Sequence, residues 1–141
     1  GMDNPKQLLS TAKNPELALF ESLKDENLEK VKVCFEAVNR PVDRPFEDPA
    51  IPEETRAAKI TPLMMACFFG NTPIVNYLIS HKKANPLIAS ADGKNALSFC
   101  LLGDHTNHLP IFRLVLEQKL NNSHNNQLLS RVDEHGFTPL E

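Results

Sequence analysis

The residues able to do chemistry in this chain are few: three cysteines, Cys34, Cys67 and Cys100, and five histidines. A covalent nucleophile would have to be one of the thiols, activated by a histidine brought close in the fold. Each cysteine, however, is embedded among apolar neighbours, as in A-C-F-F and F-C-L-L. That setting suits buried structural thiols, whereas reactive ones sit in partly exposed electropositive surroundings. An odd number of cysteines also argues for reduced thiols over a disulfide framework. Asp104, His105 and His108, with His124 and His135 further on, carry metal-ligating types. A metal site would need them converging at about 2 Å from one ion. All four histidines fall in polar turn segments, so they are expected to be solvated loop residues. No glycine falls in a phosphate-cradling pattern, neither G-x-G-x-x-G nor G-x-x-x-x-G-K. Asn121-Asn122-Ser123 fits a glycosylation acceptor, which is without meaning in a cytosolic chain. No catalytic, cofactor-binding or metal-binding residue is assigned, and no cofactor is expected.

Composition narrows the remaining classes. The chain has 141 residues, 41% of them hydrophobic, enough for one ordinary domain with a core. Fifteen basic against eighteen acidic residues leave a formal charge of -3, unlike the basic footprint of a nucleic-acid binder. No apolar run of about 18 residues is available to span a membrane, and Gly1-Met2-Asp3-Asn4 lacks the pattern of a secretory signal. Gly1 reads as a tag remnant. A cytoplasmic, monomeric protein is expected, in the producing cell or, for an exported bacterial protein, in a host cell.

The elements that would carry any site are organised around I-T-P-L-M-M-A-C-F-F-G, residues 60–70. Thr61 can cap a helix N-terminus with its hydroxyl, Pro62 suits the first helical position, and Gly70 can end the helix in a left-handed conformation. A second helix follows from Pro73, with Ile74, Val75, Leu78 and Ile79 as its apolar stripe. Two short helices cannot hide that surface alone, so neighbours of the same kind are required. Leu17 to Phe35 supply one at a uniform offset of 44 residues, laying Glu26 on Gly70 and Val31 on Val75, with Asn14 as the starting cap. Asn95-Ala96-Leu97-Ser98-Phe99-Cys100 supply another at an offset of 34, and its second helix, from Leu109, matches Thr72 onward at 37. Three residues have therefore entered the turn at 103–108. Asp133-Glu134-His135-Gly136-Phe137-Thr138-Pro139-Leu140 opens a fourth copy.

Helix, turn, helix and polar hairpin repeating near 33 residues, with the opening T-P-L, resembles the ankyrin repeat family. The resemblance covers roughly residues 16–141 and is densest in T-P-L-M-M-A-C-F-F-G and D-E-H-G-F-T-P-L. Met64 and Ser98 stand where the family usually carries histidine, so the Thr-to-His hydrogen bonding between repeats is expected to be absent. The expected fold is an all-α solenoid of stacked helix pairs: units at about 16–40, 59–90 and 93–120, a fourth beginning at 133–141, and a tail at 1–15. The first unit would act as a cap, made soluble by Lys24, Glu29, Lys30 and Lys32. Between units one and two, residues 41–58 hold Pro41, Pro45, Pro49 and Pro52, which exclude helix through most of the span. This loop either projects as a finger, with Arg44, Phe46 and Ile51 as contact groups, or drapes over the first two units.

The resemblance implies a non-catalytic module that binds a protein partner on its hairpin tips and concave face. Carried over by position, the concave places are Phe68 and Phe69, Leu102 and Gly103, and Lys24 and Asp25, while Asp92 and Lys94 flank Gly93 at a hairpin tip. Adjacent phenylalanines on a helix point about 100° apart, so at least one is expected at the surface unless the 41–58 loop covers it. The other reading is a targeting or regulatory N-terminal domain of a larger enzyme or of a secreted bacterial effector, and a chain ending at the opening of a helix is expected to be a fragment.

Overall fold

The computed structural model describes residues 14–118 and residue 120. The histidines at 124 and 135, the glycosylation-like triplet, the fourth unit and the tail before Asn14 lie outside the described residues. Within them every regular element is a helix: α1 (Pro15–Lys24), α2 (Leu28–Ala37), α3 (Glu53–Ala57), α4 (Pro62–Phe69), α5 (Thr72–Asn76, continued by a π turn at Tyr77–His81), α6 (Ala96–Leu102) and α7 (108–118).

Local chemistry sets the helix starts. Asn14, Asn27, Thr61, Asn71 and Asn95 each accept a hydrogen bond from the backbone N–H three residues on, at 2.9 to 3.3 Å, satisfying a donor that the first turn leaves orphaned. Met64 replaces the expected histidine with a weak acceptor. Its Sδ receives the Thr61 N–H at 3.4 Å while its own N–H donates to Thr61 Oγ1, so the cap is closed within the unit. Helix ends agree with the repeat offsets: Gly70 is left-handed (φ 72°), and Glu26, 44 residues earlier, takes the same conformation (φ 56°) despite its Cβ.

Packing follows from these ends. The first helices α1, α4 and α6 lie side by side, the most extensive contact being α4 on α6, and α2 and α5 form the layer behind them. Leu19, Leu23, Val31, Leu63, Cys67, Ile74, Val75, Leu78, Cys100 and Ile111 fill the space between layers. The backbones of α4 and α6 approach so closely that a Cβ added at Gly103 would lie 1.9 Å from the Phe68 carbonyl oxygen. The π turn was not expected from sequence. It is closed by Lys82 N–H on Tyr77 C=O at 3.2 Å, and Tyr77, Leu78 and Ile79 within it are all buried.

The 41–58 loop drapes. Arg40 anchors it with a two-pronged ion pair to Glu16 (2.7 and 2.9 Å) and donations to the Pro41 and Arg44 carbonyls. Phe46 N–H then donates to Ile60 C=O at 2.9 Å, and the Phe46 ring packs edge-on against Phe20 beneath Arg40. Phe46 is 1% exposed and Ile51 is equally buried, so neither forms a projecting contact group; the expectation of Phe46 as a partner residue is corrected by its burial. Helix also enters this segment as α3. It begins after Pro52, the last of the prolines, where no ring blocks the helical path.

Candidate functional site

Side chains from α1, α4, α6 and the end of the draped loop enclose an apolar groove of about 320 Å³. Phe20 and Lys24 come from α1, Thr55 from α3 within the loop, Ile60 from the residue just before the Thr61 cap, Met64, Met65, Phe68 and Phe69 from α4, and Phe99 from α6. Phe68 is 41% exposed and stands edge-on to Phe69 at 5.5 Å between ring centroids. The loop therefore borders the groove without closing it. Lys24 is the one charged residue in the lining; its Nζ sits 5.5 Å from the Phe20 ring centroid, so a cation borders an otherwise apolar surface.

The sequence-derived residues divide. Phe68, Phe69 and Lys24 meet in the groove. Leu102 is exposed at the end of α6 but does not line it. Arg44 borders a separate polar cleft with Glu16, Glu47 and Asp48. Asp92 and Lys94 pair with each other across the hairpin tip, and Ser90 Oγ donates to Asp92 at 2.6 Å. The Lys94 and Ser90 bonds hold the Asp92 carboxyl below the usual carboxylate range, so these charges already serve the turn. Sequence reasoning missed Phe20, Met64, Met65 and Phe99. The signal was there: Met64 precedes Phe68 by one helical turn, Phe20 precedes Lys24 by the same step, and Phe99 lies 34 residues after Met65.

Cys100 Sγ lies 4.0 Å from His105 Nε2, but the thiol is fully buried and that nitrogen is engaged with the Cys100 carbonyl oxygen, so it is not placed to act as a base. Cys34, Cys67 and Cys100 are free and buried, and loss of hydration pushes all three above the ordinary thiol value, Cys67 furthest. Among the described residues no group of three or more His, Cys, Asp or Glu side chains is placed to hold a metal ion. His105 and His108, expected to be solvated, are half-buried and held by hydrogen bonds. Asn107 N–H donates to His105 Nδ1 at 3.0 Å, which leaves Nε2 as the protonated nitrogen, donating to Cys100 C=O at 3.1 Å. His108 stacks on this ring at 4.2 Å and donates from Nε2 to Gly103 C=O at 3.2 Å. Asn107 Nδ2 reaches back to Gly70 C=O at 2.8 Å, so the three inserted residues latch unit three onto the turn of unit two.

The family model for ankyrin repeats, in three copies, matches residues 19–127. This chain belongs to the ankyrin repeat family. Its helix pairs, left-handed turns and capped starts are those of an ankyrin solenoid, and no curated protein matches the chain. Ankyrin repeats are as a family protein-interaction modules, typically without catalytic activity. Among the described residues no helix is long and apolar enough to cross a membrane.

Proposed function

We propose that this ankyrin domain binds a protein partner through the groove built by α1, α4 and α6, with Phe68 as the principal anchor. The observation that carries the reading is a large aromatic side chain left 41% exposed on the wall of an apolar groove, while the other large aromatics among the described residues are more covered. A Phe side chain offers about 200 Å², so covering the exposed fraction removes about 80 Å² from water and contributes about 2 kcal/mol, roughly 30-fold in affinity. Stacked helices hold the groove already formed, which limits the ordering entropy lost on association. Met64 and Met65 in its lining can adjust to an incoming side chain.

Peptides selected from a display library on the immobilised chain test this. Binders are expected to carry an apolar anchor and to lose roughly 30-fold in affinity against Phe68→Ser. Binders unaffected by Phe68→Ser but lost with Asp92→Ala would move the site to the hairpin tip.

A further inference from the structure

Three side chains stand in a row across the first helices. Lys24, Phe68 and Leu102 are separated by 44 and 34 residues, the offsets that relate the units, so they hold the same place on α1, α4 and α6. Helix α4 packs against both of the others, which puts Phe68 in the middle of the row. All three side chains are exposed, and Lys24 and Phe68 also line the groove. Gly103, next to Leu102, lies against the Phe68 carbonyl, so Leu102 carries the apolar surface on from the groove. The order is cation, ring, aliphatic group.

Charge sits at one end of the row only. Lys24 forms no ion pair among the described residues: neither Glu21, one turn earlier, nor the adjacent Asp25 pairs with it, and its Nζ rests 5.5 Å from the Phe20 ring centroid instead. No acidic residue lines the groove. A carboxylate brought to that edge would meet an unpaired ammonium beside apolar walls, where the attraction is stronger than in open water. Resting on the groove as the docking site, we infer that its occupant is an extended protein segment with an acidic residue over Lys24, an apolar residue beside Phe68 and a second apolar residue on Leu102. A groove of about 320 Å³ is about 7 Å across, too narrow to seat a helix about 10 Å in diameter. Packed helices lie about 8–10 Å apart and an extended chain advances about 3.3 Å per residue, so successive contacts fall about three residues apart. The pattern is acidic-x-x-apolar-x-x-apolar, in either chain direction.

Peptides selected from a random library on the immobilised chain should show that spacing. Exchanging the acidic residue of a selected peptide for its amide is expected to weaken binding about tenfold, about 1.4 kcal/mol, and Lys24→Met to do the same while leaving the melting transition in place. Combining the two changes should weaken binding no further than either alone, because both remove one interaction. Added salt should weaken binding to the native chain more than to Lys24→Met. Selection on Lys24→Glu should replace the acidic residue by Lys or Arg. Peptides that depend on Phe68 but tolerate Lys24→Met overturn this inference and leave the groove as the site. So do peptides whose acidic residue stands at helical spacing, about six residues from the anchor. An empty selection, or peptides indifferent to Phe68→Ser, removes the groove reading and this inference with it.

Discussion

Gly70→Ala probes the latch between units two and three. Gly70 has φ 72°, and a left-handed alanine costs about 1–2 kcal/mol by itself. A Cβ there would also lie 2.2 Å from His105 Cγ, too close for the ring to remain. Because the clash is at the ring's base, the whole imidazole must leave. It would give up its bond to the Cys100 carbonyl and the one it accepts from Asn107 N–H, each worth about 0.5–1.5 kcal/mol net. The sum is about 2–5 kcal/mol, a large share of the 5–15 kcal/mol typical of a domain. In a His105→Ala background the clash and both bonds are already gone, and Gly70→Ala should cost only the backbone term of about 1–2 kcal/mol. Urea unfolding of the four proteins in the cycle reads the difference directly as a coupling of about 1–3 kcal/mol. Equal costs in both backgrounds, within the roughly 0.5 kcal/mol expected of independent sites, would refute the latch.

Phe46→Ala should destabilise the chain by about 3–5 kcal/mol in the same assay, since it empties the space between Phe20 and Arg40 and leaves the draped loop without its apolar anchor. A loss below about 1 kcal/mol would mean that the loop does not pack there in solution. Stability should also fall in alkali. The folded state holds Cys67 protonated above the ordinary thiol value of 9.0, so its contribution is complete below that pH and declines above it, as the unfolded chain releases the proton first. The slope is about 1.4 kcal/mol per pH unit for this one thiol, and Cys67→Ala should flatten it. An unchanged pH profile in that variant would contradict the burial argument.

Much of the scaffold was legible because its signals are local. Thr61, Pro62 and Gly70 state where one helix begins and ends, and the same types recur at fixed offsets, so helix pairs and their stacking follow from chain chemistry alone. Even the Glu26 left-handed turn was implicit in its alignment with Gly70. What escaped was tertiary. Helix α3 formed once the last proline of the loop was passed, and α5 ends in a π turn that its apolar spacing does not announce. His105 reads as a solvated loop residue by type and position. It is held because Gly70 and Gly103 lack the Cβ atoms that would occupy its place, a fact about space between units that no single segment records. The groove was half legible: the residues after the small pair pointed to Phe68, Phe69 and Lys24, while Phe20 and Phe99 enter only when the three first helices are set side by side.

The most direct measurement of the central claim uses the methionines. The chain has three, and Met64 and Met65 both line the groove. With 13C-methyl labelling, titration of a selected peptide should shift the Met64 and Met65 resonances to saturation while Met2 stays fixed, and Phe68→Ser should weaken that titration roughly 30-fold. A peptide that saturates the protein by calorimetry while both groove methyls remain in place would contradict docking in the groove.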